Sequence, residues 1–358
     1  MIKSKSSIGS LERLTDIGDA RNVEMLLDKN ERTYPFDWEI HKQILDRITP
    51  GDLIQYPDQS NLYKKLAGFL CRSTTELLLT PGADAGLKYI FDTFIDPGCE
   101  VIHLQPTYGM VSVYSNMFAA RTKRILYDDD LSLNVERMLD VISDSTRLIV
   151  IANPNQPTGT IISWTELRQI IDKAYANDTL VVIDEAYIEF SDSESTISMV
   201  TEYPNLCVLR TFSKAWGLAG VRLGYLVAQP RVIEQLLKVK PLLDINVFAI
   251  KAAEVLIDNY SIVESHVQEV KSARQYMYNK LDEIGLTYFK SNGNFLNIRL
   301  PDKVSDQYVA KELRDYGYLI RASGSSTPVL SKCIRVTVGT RNQVDGLLES
   351  LNSVLNGK

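Results

Sequence analysis

The segment "LRTFSKAWGLAGVRLGY", residues 209–225, reveals most about the fold and chemistry of this chain. It begins within an apolar run that predicts a buried strand, and Lys214 lies just beyond the end of that strand. A lone lysine in such a loop is usually a surface charge. Here Thr211 and Ser213 add hydroxyl groups and Arg222 follows nearby, which are groups that bind phosphate. The segment therefore predicts a reactive amine beside an anion site.

Length and composition are those of an ordinary globular protein, since 45% of the 358 residues are hydrophobic and 23% are charged. The formal net charge of −6 argues against broad binding to nucleic acid or to an anionic membrane surface. No apolar run approaches the ~18 residues of a membrane span, and the N-terminus does not resemble a secretory signal. We therefore expect small-molecule partners, no nucleic acid and no membrane.

The four cysteines and three histidines are scattered, and no group of them has the spacing of metal ligands. A zinc site is therefore not expected, and we predict no bound metal. Unpaired thiols are typical of a reducing compartment, so we expect a cytoplasmic protein.

Short apolar runs alternate with amphipathic stretches from about residue 40 to residue 240. Runs of this kind predict buried strands, and strands that alternate with helices predict a mostly parallel sheet covered on both faces. One helix is predicted to begin at Ser163, because Ser163 and Glu166 have the spacing of a capping box. The predicted strands are "LLLT" (77–80), "EVIHL" (100–104), "RLIVIAN" (147–153), "LVVID" (180–184), "CVLRT" (207–211) and "GYLVA" (224–228).

The pattern of apolar and polar residues changes near residue 244. Residues 246–284 form one long helical pattern, and "NFLNIRL" (294–300) and "CIRVTVGT" (333–340) alternate like strands with one solvated face. These patterns predict a smaller α+β domain. The expected organisation is an N-terminal arm over 1–40, a large domain over 41–243 and a small C-terminal domain over 244–358.

A reactive lysine next to a phosphate site suggests pyridoxal 5′-phosphate (PLP). The electron sink of PLP works best when its pyridine nitrogen is protonated, so a carboxylate must lie close to it. Asp184 is at the carboxyl end of a predicted strand, where open α/β sheets bind ligands, and Tyr187 follows with a phenol that could reach the cofactor's phenolic oxygen. An aspartate there more often caps a turn, so this assignment depends on the combination of residues.

Other loops could supply the remaining contacts with the cofactor. A helix predicted to open at Ala83 and Asp84 would offer its free N–H groups to a phosphate. Tyr108 could stack on a planar ring, and the turn "NPNQPTGT" at 153–160 could reach the ring oxygen. No G-x-G-x-x-G fingerprint is present, which argues against a dinucleotide site.

In chain order, these motifs resemble fold-type I PLP-dependent enzymes of aminotransferase class I/II, and most closely the histidinol-phosphate aminotransferase family. The resemblance runs over roughly residues 25–345. It implies an α/β fold whose large domain contains a mostly parallel seven-stranded sheet, followed by a smaller α+β C-terminal domain. The matching motifs are "PGAD" (81–84), "PTYG" (106–109), "PNQPTG" (154–159), "DEAY" (184–187) and "TFSK" (211–214), with Arg222.

The resemblance also implies catalytic roles. Lys214 would form the Schiff base with PLP and would later move the proton at the substrate Cα. Asp184 would pair with the pyridine nitrogen, and Tyr187 would donate to the ring oxygen. The implied cofactor-binding residues are these three together with Ala83, Asp84, Thr211, Ser213 and Arg222 at the phosphate, Tyr108 on the ring, Gln156 and Tyr56.

Tyr56 resembles the tyrosine that reaches the phosphate from a neighbouring subunit, so the resemblance implies a homodimer with a shared active site. Arg335 and Arg321 match arginines that bind the carboxylate or phosphate of the substrate. Asn30 matches a residue at the substrate entrance. These three residues are the implied substrate-binding set.

The chain departs from the family pattern in three places. Gln156 stands where the family usually has asparagine; the loop could shift, Asn155 could substitute, or the Schiff base could be tuned differently. The arm stretch 14–26 lacks a Pro-Tyr element that helps to recognise histidinol phosphate, and Asp244 occupies a loop that faces the substrate in the family. The substrate therefore stays open.

The expected reaction is transfer of an amino group between an amino acid, such as glutamate, and a small phosphorylated or acidic keto acceptor. An alternative is a PLP-dependent decarboxylase of a phospho-amino acid such as phosphoserine or phosphothreonine. The choice depends on which Cα bond lies perpendicular to the cofactor ring. A non-catalytic PLP-binding module is a further alternative, and the presence of Lys214 and Asp184 argues against it.

Overall fold

The structure is a computed structural model, and it describes residues 4–9, 11, 21–323 and 328–357. Its strands in chain order are β1 Met25–Leu26, β2 Leu77–Thr80, β3 Glu100–Gln105, β4 Arg121–Leu126, β5 Thr146–Ala152, β6 Leu180–Asp184, β7 Leu206–Thr211, β8 Gly224–Ala228, β9 Tyr288–Phe289, β10 Phe295–Arg299, β11 Tyr318–Leu319, β12 Arg321–Ala322 and β13 Cys333–Thr337. Its helices are α1 Ser6–Gly9, α2 Trp38–Asp46, α3 Ser60–Leu70, α4 Ala83–Phe94, α5 Gly109–Met117, α6 Val135–Val141, α7 Trp164–Tyr175, α8 Pro230–Leu236, α9 Val247–Asp258, α10 Ser261–Glu283, α11 Asp306–Asp315 and α12 Arg341–Asn356.

A seven-stranded sheet forms the centre of the fold, in the order β2-β8-β7-β6-β5-β3-β4. Only β8 runs against its neighbours, β2 and β7, so the sheet is mostly parallel, as the sequence predicts. The carboxyl ends of the parallel strands therefore meet at one edge of the sheet, and their following loops can build a common site.

The central strands are apolar on both faces because helices cover both sides of the sheet. In β6, Val181 and Ile183 belong to one buried cluster, and Val182 belongs to the cluster on the opposite face. All six predicted strands of this sheet are confirmed to within one residue at each end. The strand that the sequence analysis missed is β4, "RTKRIL", where Ile125 is the buried side chain. Since β4 lies at the sheet edge, it carries charges instead of an apolar run.

Two predicted helix starts are confirmed. Glu166 and Ser163 each accept the other's backbone N–H at the start of α7, which completes the capping box. Helix α4 begins at Ala83, directly after Gly82.

The C-terminal part contains a four-stranded antiparallel sheet, β12-β13-β10-β9. The long helical pattern proves to be two helices, α9 and α10, because Asn259 leaves the helical conformation between them. The expectation of a solvated face on β13 is wrong for Thr337, which is buried under the N-terminal arm.

The arm is attached to this C-terminal sheet through its backbone. The carbonyl of Leu27 accepts both the N–H and the hydroxyl of Thr337 in β13. Strand β1 also pairs in parallel with β11, and these two strands form a separate two-stranded sheet. The arm therefore continues from the C-terminal sheet towards the edge of the central sheet. The two domain boundaries, near residues 40 and 243, stay predictions, since one apolar cluster extends through both parts of the chain.

Candidate active site

A cavity of about 360 Å³ lies at the carboxyl edge of the central sheet. Loops that follow β2, β3, β5, β6 and β7 form its walls, as expected for a site in an open α/β sheet. Every predicted cofactor residue except Tyr56 lines it. These residues are Ala83, Asp84, Tyr108, Gln156, Asp184, Tyr187, Thr211, Ser213, Lys214 and Arg222.

Lys214 stands in the connection between β7 and the antiparallel β8. Its amino group donates a 2.7 Å hydrogen bond to the backbone carbonyl of Lys29 and lies 5.7 Å from the ring centre of Tyr187. The amine is thus held at the cavity wall by a neutral acceptor, which a cofactor carbonyl group could replace as its partner.

One end of the cavity is suited to an anion. The first N–H groups of α4, at Ala83 and Asp84, lack acceptors within their own helix and carry the positive end of its dipole. Arg222 donates to Ser213 Oγ at 3.3 Å, and Thr211 Oγ1 accepts the Ser213 N–H at 3.1 Å. Hydroxyls, helix N–H groups and a guanidinium therefore converge on one place.

Close backbone packing permits this arrangement. A β-carbon added to Gly224 in β8 would lie 2.6 Å from the backbone nitrogen of Ala83. Real side chains do not approach a backbone this closely, so a glycine is required for the strand to pass beside the start of α4.

Asp184 ends β6 at the bottom of the cavity. Burial is the largest influence on this carboxyl and raises its pKa to about 7, and the negative charges of Glu185 and Asp84 act in the same direction. The N–H of Ala186, 3.1 Å from Oδ1, and the charge of Lys214 oppose the shift. A buried carboxyl of this kind gains most when a cationic partner is placed beside it.

Two tyrosines line the cavity near Asp184. The ring of Tyr187 packs edge-on against Phe295, and its hydroxyl accepts a 3.0 Å hydrogen bond from the amide of Asn30. Burial, followed by the charges of Asp84 and Asp184, raises the pKa of Tyr108 well above its ordinary value. Tyr108 is therefore a neutral aromatic surface at neutral pH.

The loop geometry bears on one of the three explanations for Gln156, namely that Asn155 substitutes for the family asparagine. Gln156 lines the cavity. Asn155 is buried and its side chain holds the loop together, because it donates to the carbonyl of Pro106 and to Thr158 and accepts from Thr107. Asn155 therefore does not substitute for the missing family asparagine.

The other predicted site residues lie outside the cavity wall. Tyr56 is 83% exposed on the protein surface. Asn30 is buried behind Tyr187, with 2% of its surface exposed. Arg335 donates to the carbonyl of Asp28 at 2.7 Å and pairs in strand register with Arg321.

Arg335 has the properties of an anion-binding residue. Its Nε is buried and has no hydrogen-bond partner among the described residues. Burial lowers its pKa, and the nearby charge of Arg321 acts in the same direction. A negatively charged group would satisfy both features.

Two cavity residues of the N-terminal arm were missed by the sequence analysis, which assigned only Asn30 of the stretch "LLDKNERTYPFD" to the site. Lys29 and Glu31 both line the cavity, and Glu31 pairs with Arg21 through both carboxylate oxygens. Burial would raise the pKa of Glu31, but the bonds and charge of Arg21 outweigh it and lower that pKa. Residues 28–32 are mostly charged, as is typical of a solvated segment, so no local pattern pointed to the cavity.

Asp244 faces the interior of its own chain. Its carboxylate accepts the hydroxyl of Tyr89 at 2.7 Å and forms an ion pair with Lys240. The arm positions that lack the Pro-Tyr element, 14–20, lie outside the described residues.

Residues 24–351 match the family "Aminotransferase class I and II". The chain belongs to this family. It is 33% identical over 337 residues to histidinol-phosphate aminotransferase 1 of Carboxydothermus hydrogenoformans, covering 93% of this chain and 94% of the relative. It is 34% identical over 316 residues to a histidinol-phosphate aminotransferase of Christiangramia forsetii, covering 86% and 88%. The predicted family resemblance is therefore confirmed, and the chain is a PLP-dependent aminotransferase.

Solved structures show the same fold. Histidinol-phosphate aminotransferase of Sinorhizobium meliloti, in complex with pyridoxal-5′-phosphate, superposes with a TM-score of 0.87 at 23% identity, covering 100% of this chain and 98% of that one. L-threonine-O-3-phosphate decarboxylase of Porphyromonas gingivalis superposes with a TM-score of 0.79 at 20% identity, covering 93% and 99%. The predicted fold class is therefore confirmed.

The cavity of this aminotransferase fits PLP. Gly82 leaves room for Arg222, since a β-carbon at Gly82 would lie 2.7 Å from Nη2 of that arginine, and the phosphate-binding groups gather at this point. Asp184 and Lys214 supply the buried carboxyl and the amine that the cofactor requires. Within the described ranges, no helix is long and apolar enough to cross a membrane, and no cluster of three or more metal-ligating side chains occurs.

Proposed function

We propose that this aminotransferase moves an amino group between glutamate and a small phosphorylated keto acceptor. The observation that carries the proposal is the convergence of Lys214, Asp184 and Arg222 on one cavity. Arg335 adds a buried Nε that has no hydrogen-bond partner among the described residues. When bound, PLP supplies the electron sink that stabilises negative charge at the substrate Cα.

The protein would bind the cofactor at its phosphate, its aldehyde carbon, its pyridine nitrogen, its phenolic oxygen and its ring. Ser213, Thr211, Arg222 and the start of α4 would hold the phosphate, and Lys214 would hold PLP covalently through its amino group. The buried carboxylate of Asp184 would keep the pyridine nitrogen protonated. Tyr187 would donate to the phenolic oxygen, and Tyr108 and Gln156 would contact the ring and its oxygen.

Lys214 would also move the proton at the substrate Cα. It is suited to this role because it lies within the cavity, and its hydrogen bond to the neutral carbonyl of Lys29 leaves the amine available.

Arg335 would bind the carboxylate or phosphate of the substrate, with Arg321 as a second cation next to it. Their register pairing supports a shared anion, since two guanidinium groups repel each other unless an anion lies between them. Histidinol phosphate, which the named relatives suggest, is the first substrate to test.

The active enzyme would be a homodimer in which Tyr56 reaches the phosphate site of the partner subunit. An apolar surface supports this: Ile54 and Leu242 are 84% and 86% exposed, and Leu53, Leu243 and Phe248 are also exposed. Leu53 and Ile54 are brought near α9, which contains Phe248, by the ion pair of their neighbour Asp52, whose Oδ1 lies 4.0 Å from Nζ of Lys251. Isolated globular proteins rarely expose such a patch, and a second copy of the chain would cover it.

We further propose that the enzyme acts in the cytoplasm on small molecules, since all four cysteines are free thiols and two of them are buried in the core.

The test uses the purified protein loaded with PLP. Addition of glutamate should bleach the absorption band of the bound cofactor and release 2-oxoglutarate, and histidinol phosphate with 2-oxoglutarate should yield glutamate. An unchanged band with every amino donor would overturn the proposal. Release of CO₂ from phosphothreonine or phosphoserine would instead support the alternative decarboxylase reaction. The L-threonine-O-3-phosphate decarboxylase of Porphyromonas gingivalis shares the fold of this chain.

A further inference from the structure

Three consecutive arm residues each bond one of the functional side chains. Through these bonds, one short segment contacts the proposed anion-binding arginine, the proposed cofactor lysine and the proposed cofactor tyrosine. The bonds are Arg335 Nη2 to the Asp28 carbonyl at 2.7 Å, Lys214 Nζ to the Lys29 carbonyl at 2.7 Å and Asn30 Nδ2 to the Tyr187 hydroxyl at 3.0 Å.

Asn30 is held firmly at the end of this segment. Its φ angle of 56° lies in the left-handed region, which asparagine, aspartate and glycine adopt most easily. Its N–H donates to Thr337 Oγ1 at 3.0 Å, and its carbonyl accepts from Asn294 at 3.1 Å. The backbone of Asn30 is therefore fixed by the C-terminal sheet, and its side chain points to the central sheet.

The amide of Asn30 has a defined orientation. The hydroxyl of Thr337 lies 2.9 Å from the Leu27 carbonyl and 3.4 Å from Oδ1 of Asn30, so it can donate to both of these acceptors. This contact leaves the NH₂ group of Asn30 for the oxygen of Tyr187.

The hydroxyl group of a tyrosine has a single hydrogen to donate. Because the oxygen of Tyr187 accepts from Asn30, its own hydrogen must point elsewhere, and the cavity lies on its other side. Asn30 thereby directs the Tyr187 O–H towards the position of the cofactor's phenolic oxygen.

We propose that Asn30 is a positioning residue that fixes the direction in which Tyr187 donates. This inference rests on the proposed function, because the acceptor of that hydrogen bond is PLP. It gives Asn30, which is buried behind Tyr187, a role through that tyrosine.

Two substitutions distinguish the role of the Asn30 side chain from the role of its backbone conformation. Asn30→Asp keeps the shape and tolerates the left-handed backbone, but its carboxylate accepts from Tyr187 and turns the phenolic hydrogen away from the cavity. Asn30→Gly keeps the backbone, and thus the Lys29 carbonyl, and leaves the phenol free to turn either way. We expect a larger effect from Asn30→Asp than from Asn30→Gly.

The experiment measures two properties of the PLP-bound protein: the dissociation constant of PLP and the pH midpoint of its absorption change. Asn30→Asp and Tyr187→Phe should each weaken PLP binding by about tenfold, the usual worth of a hydrogen bond to a charged group, and should move the pH midpoint in the same direction. In a Tyr187→Phe background, Asn30→Asp should have little further effect on either property.

Asn294→Asp serves as the matched control, since it adds the same charge at a buried asparagine that contacts Asn30 but has no bond to Tyr187. Equal effects of Asn30→Asp in the wild-type protein and in the Tyr187→Phe variant, or an equal shift with Asn294→Asp, would overturn the inference. If the wild-type protein forms no PLP absorption band, the proposed function itself fails, and the two failures are thereby distinguished.

Discussion

Gly82 and Arg222 are so close that a β-carbon at Gly82 would lie 2.7 Å from Nη2 of the guanidinium. Gly82 also has a φ angle of 82°, a backbone conformation that favours glycine. The same residue thus opens α4 and leaves space for the arginine of the anion site.

Gly82→Ala should displace Arg222 and weaken the binding of PLP by at least about tenfold, the loss expected when a charged hydrogen bond is removed. Titration of the apoprotein with PLP, followed by absorbance, measures this. Gly98→Ala is the control, because Gly98 has a similar φ angle of 88° but has no atom within 4 Å of the added carbon. Equal losses in both variants would refute a specific contact with Arg222.

Lys214→Ala should abolish turnover and leave the fold intact. Borohydride treatment followed by peptide mass spectrometry should find PLP attached to Lys214 in the wild-type protein and to no lysine in the variant. Lys29→Ala is the matched control, since Lys29 is the other lysine that lines the cavity among the described residues, and the substitution keeps its main-chain carbonyl. Covalent PLP on Lys29 in the wild-type protein would contradict the assignment.

Asp184 should make the stability of the apoprotein depend on pH. Its pKa is about 7 in the folded protein and near its ordinary value of 3.8 when unfolded, so the folded state binds more protons between these values. Stability contributed by the protonated carboxyl is therefore lost as pH rises from about 4 to 7, by an amount on the order of 4 kcal/mol. Denaturant unfolding should show this fall in the wild-type apoprotein and not in Asp184→Asn. If the free energy of unfolding fell equally with rising pH in both proteins, Asp184 would not be the cause of the pH dependence.

Asn155 and Gln156 should differ in what they stabilise. Asn155→Ala removes three side-chain hydrogen bonds, two of them fully buried, and should lower the free energy of unfolding by roughly 2 to 4 kcal/mol. Gln156→Ala should leave unfolding nearly unchanged and shift the absorption of bound PLP. The reverse outcome would mean that the loop is held by Gln156.

Tyr56 should act across the subunit interface. Tyr56→Ala alone should weaken PLP binding, and a 1:1 mixture with Lys214→Ala, unfolded and refolded together, should recover about a quarter of wild-type activity, because half of the random dimers contain one intact site. Sedimentation velocity gives the oligomeric state of the same samples. A monomer, or a mixture with no recovery, would show that the site is not shared.

The cofactor site could be predicted from the sequence to a large extent because its residues follow buried strands. The end of an apolar run marks the carboxyl edge of a parallel sheet, so Asp184 and Lys214 could be expected to lie together. Strand β4 could not be predicted in this way, since its edge position leaves a charged and largely exposed sequence.

The sequence by itself determined the fold class and the cofactor chemistry, because both depend on local patterns of apolar runs, turns and the side chains that follow them. Only the tertiary structure decided which arm residues reach the cavity. Glu31, Lys29 and Asn30 meet Lys214 and Tyr187 through backbone pairing of the arm with β11 and β13, residues about 300 positions away in the chain. Contacts over such separations depend on how the two sheets are packed, which no local pattern encodes.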